Sequence, residues 1–108
     1  MPQPEAPWGL HTRWLSVFSI DPIEVSVTPE DIVRELDREN IEARPVWRPM
    51  HMQPVFDGAE TVGGSVARRL FETGICLPSS SSLTEEDQGR VIEGVRAALS
   101  AAMAGRSR

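Results

Sequence analysis

The sequence predicts an α+β domain: a small three-stranded sheet with about three helices packed on one face. Three observations predict it. Short apolar runs alternate with helical stripes in the order strand, helix, strand, helix, strand, helix. The strand candidates are brief, and two helical stripes end in the same device, an Asn or Gly followed by an Ile able to fold back on the helix. Periodicity alone leaves a parallel α/β sheet open. The 108 residues fit one domain, and a chain of that size buries roughly 60–70% of its unfolded surface.

Residues 1–11 carry three prolines and no regular period, so they read as an extended lead-in without a core of its own. Arg13 to Ile20 reads as a strand with Trp14, Phe18 and Ile20 on one face and Leu15 and Val17 on the other. Asp21-Pro22 breaks it. Thr28-Pro29-Glu30-Asp31 then opens a helix, with a Thr cap, Pro in the first turn and acids at the positive end. Its stripe is Ile32, Val33 and Leu36. It is expected to run to about Glu39, with Asn40 left-handed and Ile41 returning to Leu36.

Ala43 to Trp47 is a short strand candidate, and Pro49 and Pro54 force the chain after it into a loop. Val62, Val66, Ala67, Leu70 and Phe71 form the second stripe, softened at its start by Gly63-Gly64 and stopped by Gly74, with Ile75 placed to meet Leu70. Ile75 to Leu77 is the third strand candidate and Ser79 to Ser82 a linker. Thr84 and Asp87 have capping-box spacing and open the longest helix, whose stripe is Val91, Ile92, Val95 and Leu99. The domain is expected to span residues 12–104, with a frayed tail at 105–108.

Composition excludes several function classes. A net charge of −5 with scattered arginines argues against a nucleic-acid surface. No run approaches the ~20 apolar residues of a membrane span. Residues 1–5 lack the basic start of a signal peptide, which sets a cytoplasmic expectation. Cys76, the single cysteine, allows no internal disulfide and reads as a buried core residue between Ile75 and Leu77. With only His11 and His51 far apart beside it, no zinc ligand set forms. The serine run lies outside any Gly-x-Ser-x-Gly elbow.

The densest chemistry lies in Glu42 to Phe56, where Pro45, Pro49 and Pro54 alternate with Trp47, Arg48, His51, Met52 and Gln53. This stretch, followed by Val66 to Gly74, Ile75-Cys76-Leu77-Pro78-Ser79, the serine run and Leu83-Thr84-Glu85-Glu86-Asp87, resembles the carboxyl-terminal small domain of the DegT/DnrJ/EryC1/StrS family. Trp8 and Trp14 resemble the start of that domain, although Thr12 stands where many relatives have Asn. Members of the family transfer an amino group to keto-sugar nucleotides using pyridoxal phosphate. The resemblance, together with the short strands, implies a mainly antiparallel three-stranded sheet, as in the small domain of fold-type I pyridoxal enzymes.

The resemblance also implies site residues. His51 would lie near the mouth of the active site, where a loop imidazole can donate a hydrogen bond to an anion. Arg48 would offer its fork to a phosphate, and Gln53 an amide to a sugar hydroxyl. Beside these stand plainer readings: a histidine merely placed by its prolines, a solvated arginine, an incidental amide. Trp47 reads as an aromatic anchor of the loop to the sheet, with His51 the more exposed of the two.

All eleven basic residues are arginines. Pyridoxal enzymes hold their cofactor on a lysine amine, and a delocalised, always-protonated guanidinium cannot replace it. The expectation is therefore a domain or truncated remnant of an aminotransferase that holds no cofactor and is not catalytic alone. In the complete enzyme, pyridoxal phosphate and the nucleotide sugar would belong with a large cofactor-binding domain. Docking to that domain, or self-association, is expected through the apolar side of the sheet bearing Leu15, Val17 and the Pro49 to Phe56 loop. The alternative is a free-standing binding or assembly module that docks on an aminotransferase large domain.

Overall fold

A threonine followed three residues later by an aspartate starts two of the helices. The Asp31 amide donates to Thr28 Oγ1 at 3.2 Å and the Thr28 amide donates back to Asp31 Oδ2 at 3.0 Å, a reciprocal cap for α1 (Pro29–Arg38). Thr84 and Asp87 repeat it for α3 (Glu85–Gly105). The computed structural model describes residues 1–105. β1 (Ser16–Ser19) precedes α1, and β2 (Arg44–Pro45), α2 (Ser65–Thr73) and β3 (Gly74–Leu77) lie between α1 and α3. Of the expected frayed tail, Gly105 closes α3, and 106–108 lie outside the described residues.

The sheet runs β1-β3-β2 with both pairs antiparallel, which closes the parallel alternative. Val17 and Arg44 flank Cys76 in register, and Phe18 and Pro45 flank Ile75. Residues paired in register share a face, so Cys76 and Val17 lie opposite the face that carries Ile75. The core gathers Val27, Ile32, Leu36, Ile41, Ile75, Val91 and Ala98, with Ile20 and Leu77 packed against it. α1 and α3 therefore cover the Ile75 face. Gly94 of α3 stands against Leu36, and Arg90 donates to the Glu39 carbonyl at 3.0 Å, capping the end of α1 from α3.

The first helix stop follows its sequence signal. Asn40 has φ 57°, the Ile41 amide donates to the Leu36 carbonyl at 2.9 Å, and the Asn40 amide donates to the Asp37 carbonyl at 3.0 Å. The second stop differs. Gly74 is extended, with φ −92° and ψ 144°, so α2 passes straight into β3. What requires glycine there is space: a Cβ would run into the Leu70 carbonyl and the Val46 side chain. α2 differs in its stripe as well, since none of its residues is buried and Val66 and Leu70 face solvent.

β1 is shorter than the expected Arg13 to Ile20. Arg13 turns to φ 54°, its amide donating to His11 Nδ1 at 2.9 Å, so regular pairing starts only at Ser16. Trp14 thereby leaves the strand and is 72% exposed. The lead-in extends the sheet locally, with Pro2 bridging Phe18 and the Gln3 amide donating to the Val17 carbonyl at 3.1 Å. The serine linker is tied as well, because Ser79 Oγ donates to the Trp14 carbonyl at 2.9 Å. Among the described residues no helix is long and apolar enough to cross a membrane.

Candidate functional site

The loop between β2 and α2 is shaped by its prolines. Lacking a backbone N–H, Pro49 and Pro54 cannot extend the sheet, and the chain folds into 3-10 turns at Met50–Met52 and Pro54–Phe56. The Met52 amide donates to the Pro49 carbonyl at 2.9 Å, and the Phe56 amide to the Gln53 carbonyl at 2.9 Å. Gln53 clamps the loop from within: its Nε2 donates to the Arg48 carbonyl at 3.1 Å and approaches Met50 Sδ at 3.7 Å. Its amide donors are thus turned into the loop, leaving Oε1 as its acceptor.

His51 is half-buried and lies against Gly64, the N-cap of α2. Trp47 is 66% exposed, so the expected order of exposure is reversed. The 3-10 turn rotates His51 inward onto a residue without a side chain, whereas Trp47 projects from the end of β2. Trp47 is anchored to Trp14 rather than into the sheet, with ring centroids 5.9 Å apart at 28°. Arg48 lays its guanidinium over the Phe71 ring at 5.4 Å and, among the described residues, makes no ion pair. Neighbouring Arg44 is held by Glu42, its Nε donating to Oε1 at 2.7 Å.

A cleft of about 590 Å3 opens between these groups, lined by Trp47, Arg48, Phe71, Leu15 and Cys76. Cys76 is partly exposed rather than buried, because Cys76 faces this cleft and Ile75 faces the core. Desolvation pushes its thiol up, so it stays protonated and is a poor nucleophile at neutral pH. Among the described residues no group of three His, Cys, Asp or Glu side chains could hold a metal ion. Of the three expected site residues Arg48 lines this cleft, while His51 and Gln53 share its loop without lining it. Phe71 and Gly64, their supports on α2, were hidden in the sequence: Phe71 inside an apolar stripe, Gly64 as one half of a weak helix start.

The family model for the DegT/DnrJ/EryC1/StrS aminotransferases matches residues 2–96. The chain belongs to the DegT/DnrJ/EryC1/StrS aminotransferase family. EpsN of Bacillus subtilis (strain 168), named as a pyridoxal phosphate-dependent aminotransferase, is 50% identical over 94 residues, which is 83% of this chain and 24% of EpsN. GDP-perosamine synthase of Caulobacter vibrioides is 33% identical over 84 residues, 78% of this chain and 22% of that protein. The chain thus spans about a quarter of the length of the curated relatives it matches. In fold it matches the aminotransferase TlmJ of Streptoalloteichus hindustanus with a TM-score of 0.77 at 22% identity, covering 94% of this chain and 26% of TlmJ.

The DegT/DnrJ/EryC1/StrS aminotransferases use pyridoxal phosphate, and the donors present here do not form a seat for it. None of the 108 residues is a lysine. The only thiol is a desolvated one on the sheet, and no amine side chain reaches the cleft.

Proposed function

We propose that this chain is the small domain of a pyridoxal-phosphate-dependent aminotransferase acting on keto-sugar nucleotides, and that it is not catalytic alone. Arg48, His51 and Gln53 face the substrate. The carrying observation is the Arg48 guanidinium, held over Phe71 and without an ion pair among the described residues, on the proline-framed loop that also holds His51. A fixed guanidinium fork suits the phosphates of a nucleotide sugar, an imidazole N–H can donate to the same anion, and Gln53 Oε1 can accept from a sugar hydroxyl. The name of one relative, GDP-perosamine synthase, supports a nucleotide-sugar class. A large domain supplies the lysine and the cofactor and docks on the apolar side that carries Trp14 and Trp47. A cytoplasmic location accompanies this reading.

A chimera tests it, in which this chain replaces the matching segment of EpsN. The chimera should carry out amino transfer to a keto-sugar nucleotide. Arg48→Ala and His51→Ala should each raise KM for the nucleotide sugar while leaving kcat much less affected, the signature of lost substrate binding. A chimera that binds cofactor and turns over, yet shows wild-type KM in both variants, overturns the substrate-facing assignment.

A further inference from the structure

We propose that Gly64 is a positioning residue whose missing side chain makes a seat for the His51 imidazole and sets the direction of its ring nitrogens. A Cβ built on Gly64 would stand 2.8 Å from His51 Cε1, 3.1 Å from Nδ1 and 3.2 Å from Nε2. Three spacings so nearly equal put that atom over the ring face near Cε1, since an approach along the ring plane would leave both nitrogens much farther away. The imidazole therefore rests face-down on the Gly64 backbone. Its two nitrogens point along the ring plane, and among the described residues neither has a hydrogen-bond partner.

Both ends of this contact are anchored. The Gly64 carbonyl accepts from the Arg68 amide at 2.9 Å, which makes the seat part of α2. His51 is carried by the 3-10 turn at Met50–Met52. The seat thus ties the loop after β2 to the first turn of α2, and any side chain at position 64 would have to push the ring away.

The adjacent glycine separates two reasons for glycine here. Gly63 has φ 71° and Gly64 φ 95°, so both occupy backbone territory that L side chains avoid. Around Gly63 nothing lies within 4 Å of a built Cβ, whereas Gly64 meets the imidazole. If only the backbone mattered, the same substitution would act alike at both positions. Asn is the informative replacement, because it tolerates the left-handed region better than other side chains.

The experiment is NMR of the imidazole resonances in the full 108-residue chain, with the two histidines distinguished by His11→Gln. The wild type should show a cross-peak between His51 Hε1 and Gly64 Hα. Gly64→Asn should shift the His51 resonances and abolish that contact, and Gly63→Asn should leave both in place. Absence of the cross-peak in the wild type overturns the seat, whether or not Gly64→Asn folds. So does a Gly63→Asn spectrum moved as far as that of Gly64→Asn.

The consequence for binding rests on the function proposed above, and the EpsN chimera reads it separately. There Gly64→Asn should raise KM for the nucleotide sugar by a factor comparable to that of His51→Ala, with Gly63→Asn close to wild type. If Gly64→Asn moves the ring but His51→Ala leaves KM unchanged, the seat stands and the substrate role of His51 falls.

Discussion

Leu36 of α1 fills the space that a side chain at Gly94 of α3 would occupy: a Cβ there would come within 2.6 Å of Leu36 Cδ2. Leu36 is completely enclosed, so it cannot swing aside. Gly94→Ala gains about 1 kcal/mol of helix propensity but forces overpacking that costs about 1–3 kcal/mol. A net loss of roughly 1 kcal/mol is expected in denaturant unfolding. In a Leu36→Ala background the same change should become stabilising, since the clash is gone. Additivity between the two substitutions would show that the helices do not meet at this point.

Asn40 supports a second prediction. At φ 57° it adopts the left-handed conformation that lets the Ile41 amide reach Leu36. Asn40→Gly should be neutral or slightly stabilising. Asn40→Val should cost about 1–2 kcal/mol, because a branched Cβ is strained there. Equal stabilities for the two variants would mean that the helix stop relaxes without its left-handed residue.

How far the sequence disclosed the fold follows from the range of its signals. The caps at Thr28 and Thr84 and the stop at Asn40 are local, written in the residues that perform them, and all three are present. Gly74 carried the same local signal as Asn40, yet its role depends on Val46, a residue far away in the chain. The late start of β1 likewise depends on His11 receiving the Arg13 amide, which no periodicity reports. At the candidate site the loop was legible from its prolines, whereas Arg48, His51 and Gln53 were singled out by the family resemblance. The supports were not, because the placement of Phe71 under Arg48 and of Gly64 under His51 arises only when α2 folds back beside the loop.

The two capping boxes predict an acid-side loss of stability. Hydrogen bonds from Thr28 lower the Asp31 carboxyl below 3.8, first from the backbone and then from the side chain. Hydrogen bonds from Thr84 do the same for Asp87, led by the side chain. A folded pKa below the unfolded one means that the unfolded chain binds the proton more readily. The stabilisation is therefore complete above the unfolded pKa and is lost as pH falls through the lowered folded values. Thermal unfolding measured from neutral pH downward should show this loss beginning near pH 4. The double variant Asp31→Asn, Asp87→Asn should flatten that part of the profile, and an unchanged slope would assign the acid sensitivity to other carboxylates.

The lysine-free composition predicts the outcome of a labelling experiment. Incubation of the chain with pyridoxal phosphate followed by borohydride should leave no pyridoxyl group on any interior residue, only weak modification of the α-amino group. Peptide mapping by mass spectrometry reads the result. A stoichiometric adduct elsewhere would defeat the assignment of cofactor binding to another domain.

The last prediction concerns association. Trp14, Trp47, Leu15, Val17 and Leu70 line one cleft of about 630 Å3 beside β1. Trp14, Trp47 and Leu70 are among the exposed large hydrophobics, and Val66 continues the patch one helical turn along α2. Apolar patches beyond a few hundred Å2 are uncommon on monomers and become interfaces. Multi-angle light scattering of the isolated chain across a concentration series should show a mass above that of the monomer at the highest concentrations. Val66→Glu with Leu70→Glu should restore the monomer, because a charge on that stripe cannot be desolvated without a partner. A wild-type chain that stays monomeric throughout and binds no apolar dye would remove the case for docking on this face and favour a free-standing module.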